Sequence, residues 1–264
     1  MSMWLPRWRE QTAGMAARYR ASRWLGPTAV GLLGAALIVF LWALLGPFGR
    51  ANLDWDRAHY LAATARWLDT GSPYVSQEVA APFDYQPDTF LHPPVALLLF
   101  LPFRWLPAIV WYALPITIVT VVSSQWRPAR WTWPILAACL AWPRTSGMLI
   151  VGNTDLWVAA FVALGLRWGW GWALIVLKPS FAPLALLGVR RRGFWIALAV
   201  LGVVSIPFGR LWVDWFSVIL HAPGGVLYSI LGLPLVLLPA VAYAGRTQDG
   251  VPGSVDRSAN GVAP

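Results

Sequence analysis

Charge is what this sequence has least of. Acidic and basic residues make up 12% of its 264 residues, about half the share of an ordinary soluble domain, while mean hydropathy is +0.58. A water-soluble fold could not keep that much apolar surface from solvent. Cysteine occurs once, as Cys139 inside an apolar stretch, which excludes an intramolecular disulfide and leaves the redox compartment unread. Lysine also occurs once, as Lys178. No internal repeat, heptad pattern or low-complexity tract is present, so solenoids and coiled coils are excluded.

What is there in abundance is apolar sequence. A helix needs roughly 20 residues to cross about 30 Å of hydrocarbon, and the run from Gly26 to Leu45 is of that length. It is too long for the core of a signal peptide. Further apolar stretches lie at about 95–106, 108–124, 131–150, 153–166, 168–178, 180–189, 194–208 and 224–245. The expected fold is therefore all-α: a polytopic helical bundle of about eight spans forming one membrane domain over 25–245. It follows a basic lead, 1–24, and precedes a Gly-, Ser- and Pro-rich tail, 246–264, expected to be disordered.

The net charge of +9 would suggest nucleic acid in a soluble protein, but here the arginines sit in short loops between apolar stretches. That is the positive-inside pattern. If PPVALLLFLPFRWLP, short and broken by Pro102, lies in the outer interface or re-enters, then Arg127, Arg130, Arg167, Arg190 to Arg192 and both termini become cytoplasmic. Thirteen of the twenty Lys and Arg residues are then inside. Most acids fall outside, in a polar loop over 49–107 that contains Asp54, Asp56, Asp69, Glu78, Asp84 and Asp88.

That loop opens LDWDRAHYLAATARWLDTGSPY, and its spacing predicts a helix from about Asp56, with Ala58, Leu61, Ala62, Ala65 and Leu68 on one face and Gly71 as its end. Asp54 or Asp56 could simply cap its start. A carboxylate there, beside an apolar membrane surface, could equally act as general base, taking a proton from an acceptor hydroxyl. The DWD spelling allows a divalent-metal site, although acids two apart on a helix point to different sides; no cofactor is expected. Two polar insertions, GNTD at Gly152 to Asp155 and Lys178, fall on the same outer side in this topology. A lysine so placed suggests function, although snorkelling would also accommodate it. Together with Arg144, Arg210 and His221 it offers enough outward positive charge to hold a phosphate.

The order of these features resembles the family-87 glycosyltransferases of the glycosyltransferase-C superfamily, polytopic enzymes that use polyprenyl-phosphate sugars and include bacterial phosphatidylinositol-mannoside mannosyltransferases. The resemblance runs through Asp56, Tyr60, Ala62, Ala63, Gly71, Pro73 and Tyr74, then Phe83, Tyr85, Pro87, Pro93, Pro94, Leu106 and Pro107. GNTD stands where the family has G-Q-x-N, and Lys178, Pro179 and Pro183 match its K-P-x-x-P, followed by the basic turn at Arg190 to Arg192. Coverage is roughly 25–210, and the chain is shorter than is usual in the family.

The resemblance implies that Asp56 is the general base, with Asp54 as runner-up, in an inverting transfer, and that a hydrophobic groove holds the polyprenyl chain. It implies Tyr60, Tyr85, His92, Asn153 and Asp155 as substrate contacts. Lys178, Arg210 and His221 are the expected donor-phosphate ligands. The expected protein is thus a glycosyltransferase, a mannosyltransferase by resemblance, that moves a sugar from a polyprenyl phosphate to a lipid-linked or polymer acceptor at the outer face of the cell membrane. The alternative is a non-catalytic polyprenyl-phosphate- or lipid-binding or transport protein.

Overall fold

The computed structural model describes residues 25–84, 86, 89–223 and 230–246. The basic lead, the tail beyond Arg246 and Tyr85 lie outside the described residues. Within them the fold is all-α, with no strand.

Helix α1, Leu25–Leu45, has no charged residue and leaves Val30, Leu37, Ile38, Trp42 and Leu45 exposed. Helix α2, Trp55–Thr70, follows a short turn of helix at Pro47–Asn52. Helix α3, Ala108–Gln125, is the second helix long and apolar enough to cross a membrane. Two bent pairs each meet the same test when taken together. The first comprises α4, Trp133–Ala141, and α5, Pro143–Val151; with the turn before α4 included, it bends by 60°. In the second, α7, Arg192–Ser205, leads through Ile206–Phe208 into α8, Leu211–His221, with a bend of 99°. Prolines explain both breaks: Pro143 starts a new helix because it has no N–H to donate, and Pro207 lies beside Gly209, whose φ of 23° no ordinary helix allows.

The described residues thus contain two helices long and apolar enough to cross a membrane, or up to four if each bent pair is one span. The nine apolar stretches do not each become one long helix. The stretch at 168–178 breaks into Gly171–Leu174 and Ile175–Leu177, and that at 180–189 winds as a 3-10 helix, Pro179–Gly188. Part of the apolar sequence is buried in protein. Helix α6, Asp155–Trp168, makes the point: every residue from Asp155 to Ala163 is buried. It is enclosed by α3, by Gly171–Leu174 and by α9, Leu233–Ala244. The segment Pro94–Arg104 likewise turns Val95, Ala96, Leu97, Phe100 and Phe103 into the core.

Helix α2 ends as predicted at Gly71, which adopts φ 84°. Its buried face differs from the one the spacing suggested. Ala63 and Thr64 are buried and Tyr60 and Trp67 pack against the core, whereas Leu68 is exposed. Small alanines on both sides of the helix leave its orientation to the aromatics, which bury more surface each.

The basic turns gather at one end. Pro128 pairs with Arg246, and the Ala129 N–H donates to the Gly245 carbonyl. Arg167 donates to Gln125 at the end of α3. Gly169 lies so close to Arg191 that an added Cβ would stand 2.9 Å from that side chain's own Cβ. The acidic residues Asp54, Asp56 and Asp155 cluster at the opposite ends of α3 and α6, about 20 Å away at 1.5 Å of rise per residue.

Candidate functional site

The turn GNTD builds the centre of the site. Helix α5 closes at Gly152, with φ 72°, and the Asn153 N–H donates to the Met148 carbonyl at 3.0 Å. The Asn153 side-chain oxygen then accepts the Asp155 N–H at 2.9 Å, which satisfies one of the free amides at the start of α6. This capping contact fixes the side chain of Asn153 between two other groups. Its amide nitrogen donates to Asp56 Oδ2 on α2, and its oxygen also accepts from Lys178 Nζ at 2.6 Å.

Lys178 precedes Pro179, so its backbone is extended (φ −122°, ψ 102°) and the helix before it stops. Its side chain is 2% exposed and forms an ion pair with the fully buried Asp155. Lys178 therefore already holds a counter-charge. The space around it is a small chamber shared with His92, Thr154, Trp157 and Phe161, not the cleft that Asp56 faces.

That cleft is open and holds about 370 Å³; Asp56, His59 and Tyr60 line it from α2, Arg144 and Met148 from α5, and His92 from the loop between them. Burial raises the Asp56 carboxyl above its ordinary range, opposed by the hydrogen bond from Asn153 and the charge of Lys178. Asp56 is thus a more basic carboxylate than a free aspartate. His92 is buried with Nδ1 2.9 Å from the Leu177 carbonyl; a carbonyl can only accept, so Nδ1 carries the proton and Nε2 is left as an acceptor. Burial and the charge of Lys178 lower His92 to about 3, which keeps it neutral. Tyr60 stacks on Phe100 at 4.9 Å and meets His92 edge-on at 5.1 Å.

Asp54 has a different place. It occupies the cap position of α2 with φ 62° and makes no side-chain cap bond. Its carboxylate is instead held by Arg57 and by the Tyr112 hydroxyl of α3 at 2.8 Å. Asp54 and Asp56 thus point to different partners. Among the described residues no group of three His, Cys, Asp or Glu side chains could hold a metal ion.

Of the residues expected at the site, Asp56, Tyr60, His92 and Asn153 line the cleft, and Asp155 and Lys178 stand behind Asn153. Arg210 is exposed before α8, and His221 lies with Nδ1 3.3 Å from the Glu78 carbonyl; neither lines the cleft. The sequence reading missed His59 and Tyr112. His59 was legible, since it stands one helical turn after Asp56 and so on the same face. Tyr112 carried no such signal, being 58 residues from its partner. Arg144 is the exposed cation that the cleft does contain. No family model, curated protein or solved structure matches this chain.

Proposed function

We propose that the protein is a membrane glycosyltransferase, in which Asp56 is the general base for transfer of a sugar from a polyprenyl-phosphate donor to a lipid-linked or polymer acceptor. The observation that carries this reading is a half-buried carboxylate of raised pKa, oriented by a fixed amide, in an open cleft between aromatic side chains and an unburied arginine. The resemblance of 25–210 to family-87 glycosyltransferases supplies the choice of chemistry, including a mannosyl donor and a glycosyltransferase-C-like arrangement. The eight crossings belong to the same reading, with short broken helices crossing in pairs.

In the proposed step the acceptor oxygen attacks the anomeric carbon while its proton passes to an Asp56 oxygen. The bond from that carbon to the phosphate oxygen breaks, its electron pair leaves with the polyprenyl phosphate, and the configuration inverts. Negative charge grows on the leaving phosphate. Arg144 and His59 line the same cleft as Asp56 and are better placed to meet that charge than Lys178, whose charge Asp155 already balances. Tyr60 and Trp55 offer flat apolar faces for the sugar or the first prenyl units.

The test is transfer of radiolabelled sugar from polyprenyl-phosphate donors to membrane lipids by the purified protein. A positioned base contributes about 10²- to 10⁴-fold in rate, so Asp56→Asn should lose transfer by that factor while donor binding persists. Donor binding by a wild type that transfers nothing would instead support a carrier or binding protein.

A further inference from the structure

The amide of Asn153 can stand in only one way round. Its oxygen faces two donors, the Lys178 ammonium at 2.6 Å and the Asp155 backbone N–H at 2.9 Å. A flipped amide would set an NH₂ against both of them. The nitrogen must therefore face Asp56, which accepts its hydrogen. Lys178 and Asp155 are buried and paired with each other, and neither lines the cleft. A buried ion pair is weak support for stability, because its desolvation offsets most of its attraction. The position is also tightly built: a Cβ on Gly232 would stand 1.9 Å from Asp155 Oδ2, so the carboxylate is pressed from behind by backbone.

We infer that Lys178 is a positioning residue that acts on Asp56 through Asn153, and that the Lys178–Asp155 pair serves to lock the Asn153 amide with its N–H toward the base. The inference rests on the proposed role of Asp56 for its meaning, though its geometry stands apart from it. The lock keeps one lone pair of Asp56 engaged, which leaves the other oxygen to face the cleft and receive a proton. It also favours the ionised carboxylate, because a hydrogen bond donated to a carboxylate stabilises the charged form. Lys178 and Asp155 carry opposite charges, so their direct fields at Asp56 oppose each other and the amide is the main channel. The other charged or titratable groups near Asp56 are His59 and Tyr60 on its own helix, the neutral His92 and Arg144 across the cleft, and the Asp54, Arg57 and Tyr112 cluster on its far side.

The experiment reads the protonation of Asp56 directly: pH-dependent carbodiimide labelling of its carboxyl in the full-length protein in detergent, quantified by peptide mass spectrometry. It needs no sugar substrate. Lys178→Met combined with Asp155→Leu removes the pair without leaving a lone buried charge, and should raise the labelling midpoint by about one pH unit, the size expected for loss of a hydrogen bond to a charged group. Asn153→Leu should raise it by a similar amount, and adding the double change to Asn153→Leu should produce little more. Lys178→Gln with Asp155→Asn keeps an N–H donor for the Asn153 oxygen and should return the midpoint toward wild type.

A midpoint unchanged by Asn153→Leu overturns the inference even if the double variant fails to fold. An equal further shift when the pair is removed from the Asn153→Leu protein also overturns it, since Lys178 would then act by field alone. The outcomes separate the two claims. Shifted midpoints with no sugar transfer by wild type keep the lock and remove the glycosyltransferase reading, whereas Asp56-dependent transfer with fixed midpoints does the reverse.

Discussion

Asp56 and Asp54 stand two residues apart and are held in opposite ways. Asp54 is engaged by Arg57 and Tyr112, so Asp54→Asn should lower stability by about 1 kcal/mol, the scale of a partly exposed ion pair with one added hydrogen bond; denaturant melts in detergent read this. For Asp56 the sign is opposite. Its folded pKa is raised, so the stability it contributes is complete below its unfolded pKa and is lost as pH rises through the folded one. At neutral pH the ionised carboxylate adds nothing, and Asp56→Asn should leave the melting temperature unchanged or higher while abolishing transfer. The same raised pKa places the acid limb of the transfer rate above the ordinary aspartate value of 3.8, with activity falling as pH falls through it. His92, neutral down to about 3, should contribute no limb near 6.5, and a limb found there would shift the proton acceptor to an imidazole. The sequence made Asp56, Asn153, Asp155 and Lys178 visible as polar residues in apolar surroundings, and the structure joins all four. It could not show the order of the chain between them, because hydrogen bonds across 97 and 25 residues leave no local pattern.

At the scale of elements, close packing of small residues holds the site's scaffold. A Cβ on Gly171 would meet the Gly165 amide nitrogen at 2.4 Å and the Phe161 carbonyl oxygen at 2.5 Å, both of them backbone atoms that cannot step aside. Gly171→Ala should therefore force α6 and Gly171–Leu174 apart at a cost of about 1–3 kcal/mol, measurable as a lower melting temperature with Asp56 labelling displaced as α6 shifts. Element identity was partly legible: the end of α2 follows from Gly71 and the break before Pro179 from proline itself, whereas 131–150 reads as one stretch and breaks at Pro143, and Asp54 starts α2 without a side-chain cap bond. Element role was less so. An apolar helix enclosed by protein and one facing lipid have similar composition, so the stretch 153–166 could not show in advance that Asp155 to Ala163 would all be buried.

The arrangement of the whole molecule sets the Asp56 cleft at one end and its arginine turns at the other. With Cys139 replaced by serine, a single cysteine at Leu68, which is 48% exposed, should react with an impermeant thiol reagent in intact cells, and one at Arg191 should react only after lysis. Position 78 is less suited to such a probe, since Glu78 is 3% exposed and accepts a hydrogen bond from Thr89. Labelling at 191 in intact cells would overturn the orientation expected from the arginine distribution. The clustering of Arg127, Arg130, Arg167 and Arg246 also has an electrical consequence. Carrying one elementary charge across a membrane potential of 100 mV costs about 2.3 kcal/mol. In the orientation expected from the charge asymmetry, with these four facing a negative interior, the membrane voltage would oppose inversion of the inserted protein by about 9 kcal/mol per 100 mV. The Lys178–Asp155 pair, being neutral as a unit, contributes almost nothing to that coupling, so the locked amide should hold its geometry in energised and de-energised membranes alike.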